Sequence, residues 1–319
     1  MSSLVLITGG WGYVGGRVAV AIARRGGWKV RLTSRRPRPD PSWLPGAERV
    51  VMDLLDRESV EAATSGVRAV VHLAAVNEME SAANPDLAAR INSAGTRDLL
   101  ESALGAGVER FVYFSTAHVY GAPLAGHITE AVEPRPVHPY ASTHYEAERF
   151  VLAARAQRRV GGIVLRLSNG FGAPTHPAVD RWTLLVNDLC YQAVWHRRLV
   201  LRSAGHQQRD FVTLEDVGRA TGHFLELPDS LCGDGLFNVG AGRSLSVWEM
   251  AQRVAQNCRR TLGYEPPISR TESPPAEPVP ELIYDIGKLR GTAFVLQGDL
   301  EDEIRQTLQV CAGFRPRGT

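Results

Sequence analysis

The sequence predicts an α/β architecture, a doubly wound parallel sheet followed by a smaller, loop-rich C-terminal lobe. Short apolar runs bounded by breakers alternate with amphipathic stretches through the first half of the chain. A glycine-lined bend joins the first run to the first amphipathic stretch. After about Ser168 the alternation loosens and prolines accumulate, among them Pro174, Pro177 and the stretch Pro266–Pro280.

The runs Leu4–Thr8, Lys29–Thr33, Arg49–Val51, Ala69–Leu73, Phe111–Ser115 and Gly162–Leu167 are rich in β-branched or aromatic residues and predict buried strands. Between them, Gly15–Arg25, Glu58–Thr64, Pro85–Leu104 and Tyr140–Arg158 have helical spacing. The expected domains are residues 1–167, to which segments around 208–242 return, and a substrate lobe made of 168–207 and 243–319. That lobe would cover the carboxyl ends of the strands, where such sheets bind ligands.

Composition is that of an ordinary globular protein, with 44% hydrophobic and 22% charged residues in 319. A net charge of +2 points to neither nucleic acid nor an anionic membrane. No stretch approaches the apolar length of a membrane span, and Met1–Gly10 does not read as a signal peptide. Cys190, Cys232, Cys258 and Cys311 lack metal-ligand spacing and suit a reducing compartment. A cytoplasmic protein without a metal site is the expectation.

The bend reads Gly9-x-x-Gly12-x-x-Gly15, with Tyr13 and Val14 inside it, a strand before it and a helix after it. This is the arrangement of a Rossmann-type dinucleotide site, where a helix N-terminus faces a pyrophosphate. At the end of the second strand an NAD site would carry a carboxylate for the ribose hydroxyls. Here Ser34 is followed by Arg35 and Arg36, which favours the 2′-phosphate of NADP, with NAD as the alternative. Asp53, followed by Leu54, comes after the third strand and could accept from the adenine amino group.

Further motifs in the same order resemble the extended short-chain dehydrogenase/reductase family, in particular its nucleotide-sugar epimerase, dehydratase and reductase branch. They are His72-Leu73-Ala74-Ala75, Asn92-Ser93-Ala94-Gly95-Thr96, Phe114-Ser115-Thr116 running to Gly121, Pro139-Tyr140-Ala141-Ser142-Thr143-His144 with Glu148, and Gly205 to Val212 with Asp216-Val217. Phe237-Asn238-Val239-Gly240 adds another, and the likeness covers nearly the whole chain.

The resemblance implies that Leu73, Ala74 and Ala75 lie along the cofactor and that Asn92 shapes the active site. It makes Tyr140 the proton donor or acceptor and gives Thr116 a hydrogen bond to the same substrate oxygen. The family places a Lys four residues after the Tyr, one helical turn away, to hold the nicotinamide ribose and lower the phenol pKa. Here that position is His144, which is expected to keep the ribose contact while leaving Tyr140 less acidic. Tyr145 with Arg149 offers the same spacing, but Pro139, Ala141 and Glu148 fit the motif around Tyr140.

Sugar 4,6-dehydratases of the family carry Asp-Glu after the catalytic Thr; this chain has Ala117-His118, so dehydration is disfavoured. His118, Asn169 and Arg209 are the candidate substrate contacts, Arg209 for a diphosphate. The family's second Arg, in an Arg-Pro-Gly-Asp-like stretch, has no counterpart in Ser269–Pro280, where Arg270 is a loose substitute. The expectation is NADPH-driven reduction of a keto-sugar nucleotide. A nucleotide-sugar epimerase retaining NAD(P) is the alternative, and a catalytically inactive NADP-binding sensor a third reading. By resemblance, the helices of 85–104 and 140–158 would pair two subunits into a homodimer.

Overall fold

The computed structural model describes residues 2–176, 179–271 and 280–313. Among them, seven strands form a parallel sheet: β1 (Ser3–Thr8), β2 (Trp28–Ser34), β3 (Glu48–Val51), β4 (Ala69–His72), β5 (Arg110–Thr116), β6 (Gly161–Leu167) and β7 (Leu236–Val239). Their spatial order is β3-β2-β1-β4-β5-β6-β7, so the winding reverses between β1 and β4. A crevice opens there, outside the carboxyl ends of the strands.

Period-two alternation sends neighbouring side chains of one strand to opposite faces. Val5 and Ile7 join one core with Val18 and Ile22 of helix Tyr13–Arg25 and Val217 and Phe224 of helix Leu214–Glu226. Leu6 joins the other, with Val70, Phe111, Leu99 of helix Gly95–Gly105 and Val151 of helix Pro139–Ala156. Each such buried side chain contributes roughly 2 kcal/mol through lost apolar surface.

A third core lies beyond the sheet. It brings Phe171 and Phe211 against Val186 and Leu189 of helix Leu185–Tyr191, Met250 and Val254 of helix Val247–Leu262, and Ile304 and Leu308 of helix Leu300–Ala312. Strand Gln208–Thr213 reaches into it, pairing in parallel with Asn169–Phe171 and antiparallel with Ser244–Ser246. Pro177 and most of the proline-rich stretch, residues 272–279, lie outside the described residues.

One expected element is divided. The span Pro85–Leu104 begins as helix Pro85–Ala88, widens into a π-helical turn over Ala89–Ala94 and resumes as helix Gly95–Gly105. The wide turn carries Asn92 inward to the backbone of Val76, and Gly95 passes so close to Leu54 that an added Cβ would lie 3.1 Å from the Leu54 Cβ. Such single wide turns are common where a helix serves a site.

Candidate active site

The crevice is lined by Gly9, Gly12, Tyr13, Val14 and Gly15 from the first bend, Leu73, Ala74 and Ala75 from the end of β4, and Thr116, His118, Tyr140 and His144. Asn169 and Arg209 line its far side. Fourteen of the residues singled out in the sequence therefore converge on one cleft.

The bend is tight because its glycines allow it. Gly9 has φ +67°, and a Cβ there would approach the Ala74 amide nitrogen to 2.9 Å. At Gly15 a Cβ would fall 2.2 Å from the Gly9 carbonyl oxygen. No side chain caps the helix that follows, so its first-turn amides remain available to an anion. This open cradle of unobstructed backbone fits a pyrophosphate.

Beside it, the Thr8 hydroxyl accepts from the amides of Leu73 (3.2 Å) and Ala74 (3.1 Å) and meets His72 Nδ1 at 2.6 Å. His72 Nε2 is satisfied by Thr96 at 2.9 Å, and burial pushes the imidazole pKa down to about 3. This neutral histidine pins the β4 turn from below. Asn92 works from the side: its Oδ1 accepts from the Val76 amide at 2.8 Å, and its Nδ2 donates to Thr143 Oγ1 at 3.2 Å. Asn92 is thus buried outside the cleft lining and links the β4 turn to the helix carrying Tyr140.

Tyr140 stands near the start of helix Pro139–Ala156, whose first turn is capped by His138 accepting from the Ala141 amide at 3.2 Å. His144 follows one turn later, with ring centroids 4.4 Å apart. Tyr145 packs into the sheet core and Arg149 is exposed, so the alternative register does not face the cleft. Burial drives the Tyr140 pKa well above its ordinary value; Glu78 pushes the same way and Arg181 opposes. Burial, reinforced by His118 and opposed by the nearby Phe114 carbonyl, lowers the His144 pKa to about 3. The residue in the position of the expected cation is therefore an uncharged imidazole.

His144 Nδ1 lies 2.7 Å from the Tyr113 hydroxyl, while its Nε2 is buried without a hydrogen-bond partner. The Phe114 carbonyl lies near the ring as well. Beneath the helix, buried Glu148 accepts from Arg166 (2.7 Å to Nη2) and from the Ser115 hydroxyl, locking β5, β6 and helix Pro139–Ala156 together.

Around the mouth, His118 lies tilted against His138 (5.4 Å between centroids), and burial lowers its pKa. Asn169 Nδ2 donates to the Asp210 carbonyl at 2.9 Å. Arg209 is braced by Gln207 Oε1 at 2.9 Å and has no carboxylate partner among the described residues, which leaves its charge for an anion. Glu78, Arg181 and Asn187 also line the cleft and were not singled out in the sequence. Glu78 had a local signal, since Asn77 and Glu80 form a capping box that starts a helix at the cleft edge. Arg181 and Asn187 had none.

Five sequence candidates, Ser34, Arg35, Arg36, Asp53 and Leu54, lie outside the cleft lining, on the flank where β2 and β3 end. The Ser34 hydroxyl donates to the Arg36 carbonyl at 2.7 Å, and Arg35 and Arg36 are exposed. The Asp53 carboxylate accepts from the Leu55 amide at 3.0 Å. Leu54 is buried against Gly95. Arg38, unremarked in the sequence, sits over the Trp11 ring at 5.5 Å and brings further positive charge to the glycine bend. Arg270 lies over Trp248 at 4.3 Å and donates to the Ala204 carbonyl, away from the cleft lining.

Sheet order, glycine cradle and the cluster of buried Thr116 and His144 with half-buried Tyr140 define a dinucleotide-dependent oxidoreductase of the short-chain dehydrogenase type. The model of the NAD dependent epimerase/dehydratase family matches residues 5–240. A UDP-glucose 4-epimerase of Azospirillum brasilense is 31% identical over 309 residues, spanning 91% of this chain and 86% of its own. Among solved structures, MoeE5 in complex with UDP-glucuronic acid and NAD is similar with a TM-score of 0.76 at 26% identity, covering 96% of this chain and 98% of that one. The UDP-N-acetylglucosamine 4-epimerase of Methanobrevibacter ruminantium M1 shares the fold, with a TM-score of 0.81 at 20% identity over 97% of this chain and 98% of its own. The chain belongs to the NAD-dependent epimerase/dehydratase family, a family of NAD(P)-dependent enzymes.

Proposed function

We propose that the protein reduces a keto carbon of a nucleotide-activated sugar, with NADPH as the preferred dinucleotide. The observation that carries this reading is a histidine, His144, packed 4.4 Å between ring centroids from Tyr140 where a cation is expected. With a neutral His144 one turn away and burial acting on both, the phenol holds its proton. A protonated phenol is poised to donate to the oxygen of a carbonyl undergoing reduction, whereas oxidation of an alcohol must begin by removing a proton. When bound, NADPH would supply the hydride for the same carbon. Gly9, Gly12 and Gly15 with the amides after them would hold its pyrophosphate, and His144 its nicotinamide ribose. Arg35 and Arg36, aided by Arg38, would attract the 2′-phosphate.

In this reading Thr116 and Tyr140 hold the substrate oxygen, Arg209 takes the diphosphate, and His118 and Asn169 border the sugar. The unit of residues 1–167 with 208–242 carries the dinucleotide, and the lobe of 168–207 with 243–319 closes over the substrate. We further propose a cytoplasmic homodimer paired through the helices around 95–105 and 139–156; light scattering should give twice the chain mass. Among the described residues no helix is long and apolar enough to cross a membrane.

An epimerase with retained dinucleotide is the second reading, favoured by the 31% identity to a UDP-glucose 4-epimerase. The two separate in one experiment. Stoichiometric loss of NADPH absorbance with a 4-keto-sugar nucleotide supports reduction. Interconversion of UDP-sugars without net dinucleotide consumption, together with NAD(P) released on denaturing the purified protein, overturns it.

A further inference from the structure

We propose that Tyr113 is a positioning residue that fixes the tautomer of His144, so that an uncharged N–H donor faces the dinucleotide site where a cation is expected. The proposal rests on the reading of His144 as a ribose contact and assigns a role to a residue outside the cleft.

Tyr113 is 2% exposed on β5, and burial drives its pKa well above the ordinary value, with Glu148 and Tyr140 pushing the same way. Its hydroxyl therefore carries a proton that needs an acceptor. Among the described residues, the partner of that hydroxyl is His144 Nδ1, at 2.7 Å. The neutral imidazole has one N–H and one lone-pair nitrogen. If Nδ1 carried the proton, it would donate to the phenol oxygen; the phenol O–H and the Nε2 lone pair would then both be buried without partners. If Nδ1 is the acceptor, the phenol is satisfied and a single buried group remains open, the Nε2–H. Leaving one polar group unmatched costs less than leaving two.

The ring planes support this alignment, lying within 29° of each other at 5.8 Å between centroids. Tyr113 is itself flanked by His72, at 5.7 Å, and His72 is fully committed to Thr8 and Thr96. No competing acceptor for the phenol comes from that side. His144 Nε2 is left as the unpartnered nitrogen of a 4% exposed side chain that lines the cleft. A lone Nε2–H donates to a ribose hydroxyl oxygen without adding charge, so the site gains a positioning hydrogen bond and Tyr140 keeps its high pKa. Tyr113 and His144 thus act as a pair, and neither alone reproduces the arrangement.

The test reads the tautomer directly. In dinucleotide-free protein, NMR of 15N- and 13C-labelled histidine should show His144 as neutral Nε2–H from pH 8 down to pH 5. Tyr113→Phe, which removes only the hydroxyl, should let the Nδ1–H form appear and weaken NADPH binding about tenfold, measured by titration calorimetry. A wild-type protein with His144 as Nδ1–H or charged at pH 6 overturns the proposal. So does a Tyr113→Phe variant with unchanged tautomer and affinity. None of these readouts needs a sugar substrate, so loss of the reductase reading would leave the result intact. Because the wild-type spectrum is decisive by itself, poor folding of the variant does not remove the test.

Discussion

The Tyr13 hydroxyl donates to the Gly172 carbonyl at 2.7 Å and accepts from the Gly172 amide at 2.9 Å, with Asn187 Oδ1 also within 3.0 Å. One phenol in the glycine bend thereby ties it to two segments of the lobe beyond the sheet. The tie is buried, and burial holds the phenol in its protonated form. Removing the hydroxyl would strand both polar groups of Gly172 in a dry environment. Tyr13→Phe is expected to lower stability by about 2–6 kcal/mol in urea unfolding, at about 1–3 kcal/mol for each unsatisfied group. An unchanged midpoint would show that water replaces the phenol and that the tie is dispensable.

Tyr140 and Thr116 make a sharper prediction about chemistry. Tyr140→Phe keeps the ring that packs against His144 and removes the proton donor. Turnover with the sugar substrate should fall at least a hundredfold, while the dinucleotide dissociation constant stays within threefold. Retention of more than a tenth of kcat would transfer the donor role elsewhere, with His118, near Tyr140 at 6.5 Å between centroids, the next residue to substitute.

Buried histidines set the response to acid. His72 and His144 have folded pKa values of about 3 against an unfolded value near 6.5. Between those limits the unfolded chain binds protons that the folded chain refuses. Their contribution is therefore intact above pH 6.5 and is lost as pH falls toward 3, by about 2 kcal/mol each at pH 5. Asp210 acts in the opposite sense, because burial raises its pKa to about 6 and the folded state takes up its proton first. The histidines outnumber it, so the urea midpoint should drop between pH 7.5 and pH 5. His144→Gln should reduce that slope. A slope identical in wild type and variant would mean that His144 titrates normally.

How much of this could be read along the chain depends on what each residue answers to. The glycine bend, β4, Thr116 and Tyr140 were legible because local spacing dictates them: a tight turn demands glycine, and positions 140 and 144 must share a helix face. The burial of His144 was not legible, since it depends on Tyr113 from a strand 31 residues away in sequence. Arg181 and Asn187 reach the cleft only because the lobe folds back over the strand ends. Asn92 was legible as a contributor but not in its manner, which required the π-helical turn that aims it at Val76. Ser34 illustrates the converse. Its position at the end of β2 followed from strand periodicity, whereas its hydroxyl is turned back onto the Arg36 carbonyl.

Dinucleotide preference should be governed by that exposed flank. Arg35 and Arg36 have no carboxylate partner among the described residues, and Arg38 adds charge over Trp11, so a 2′-phosphate would meet a cluster of guanidinium groups. No acidic side chain stands at the end of β2 to bind a bare ribose diol, Ser34 occupying that place. Replacing both arginines, Arg35→Ala with Arg36→Ala, should raise the NADP dissociation constant tenfold or more and leave that for NAD within twofold. The NADP effect should shrink with added salt, because solvent-exposed charges are screened beyond about 10 Å at 0.1 M ionic strength. Equal loss for both dinucleotides would instead place the arginines in general scaffolding of the loop, and the selectivity would have to come from the glycine bend itself.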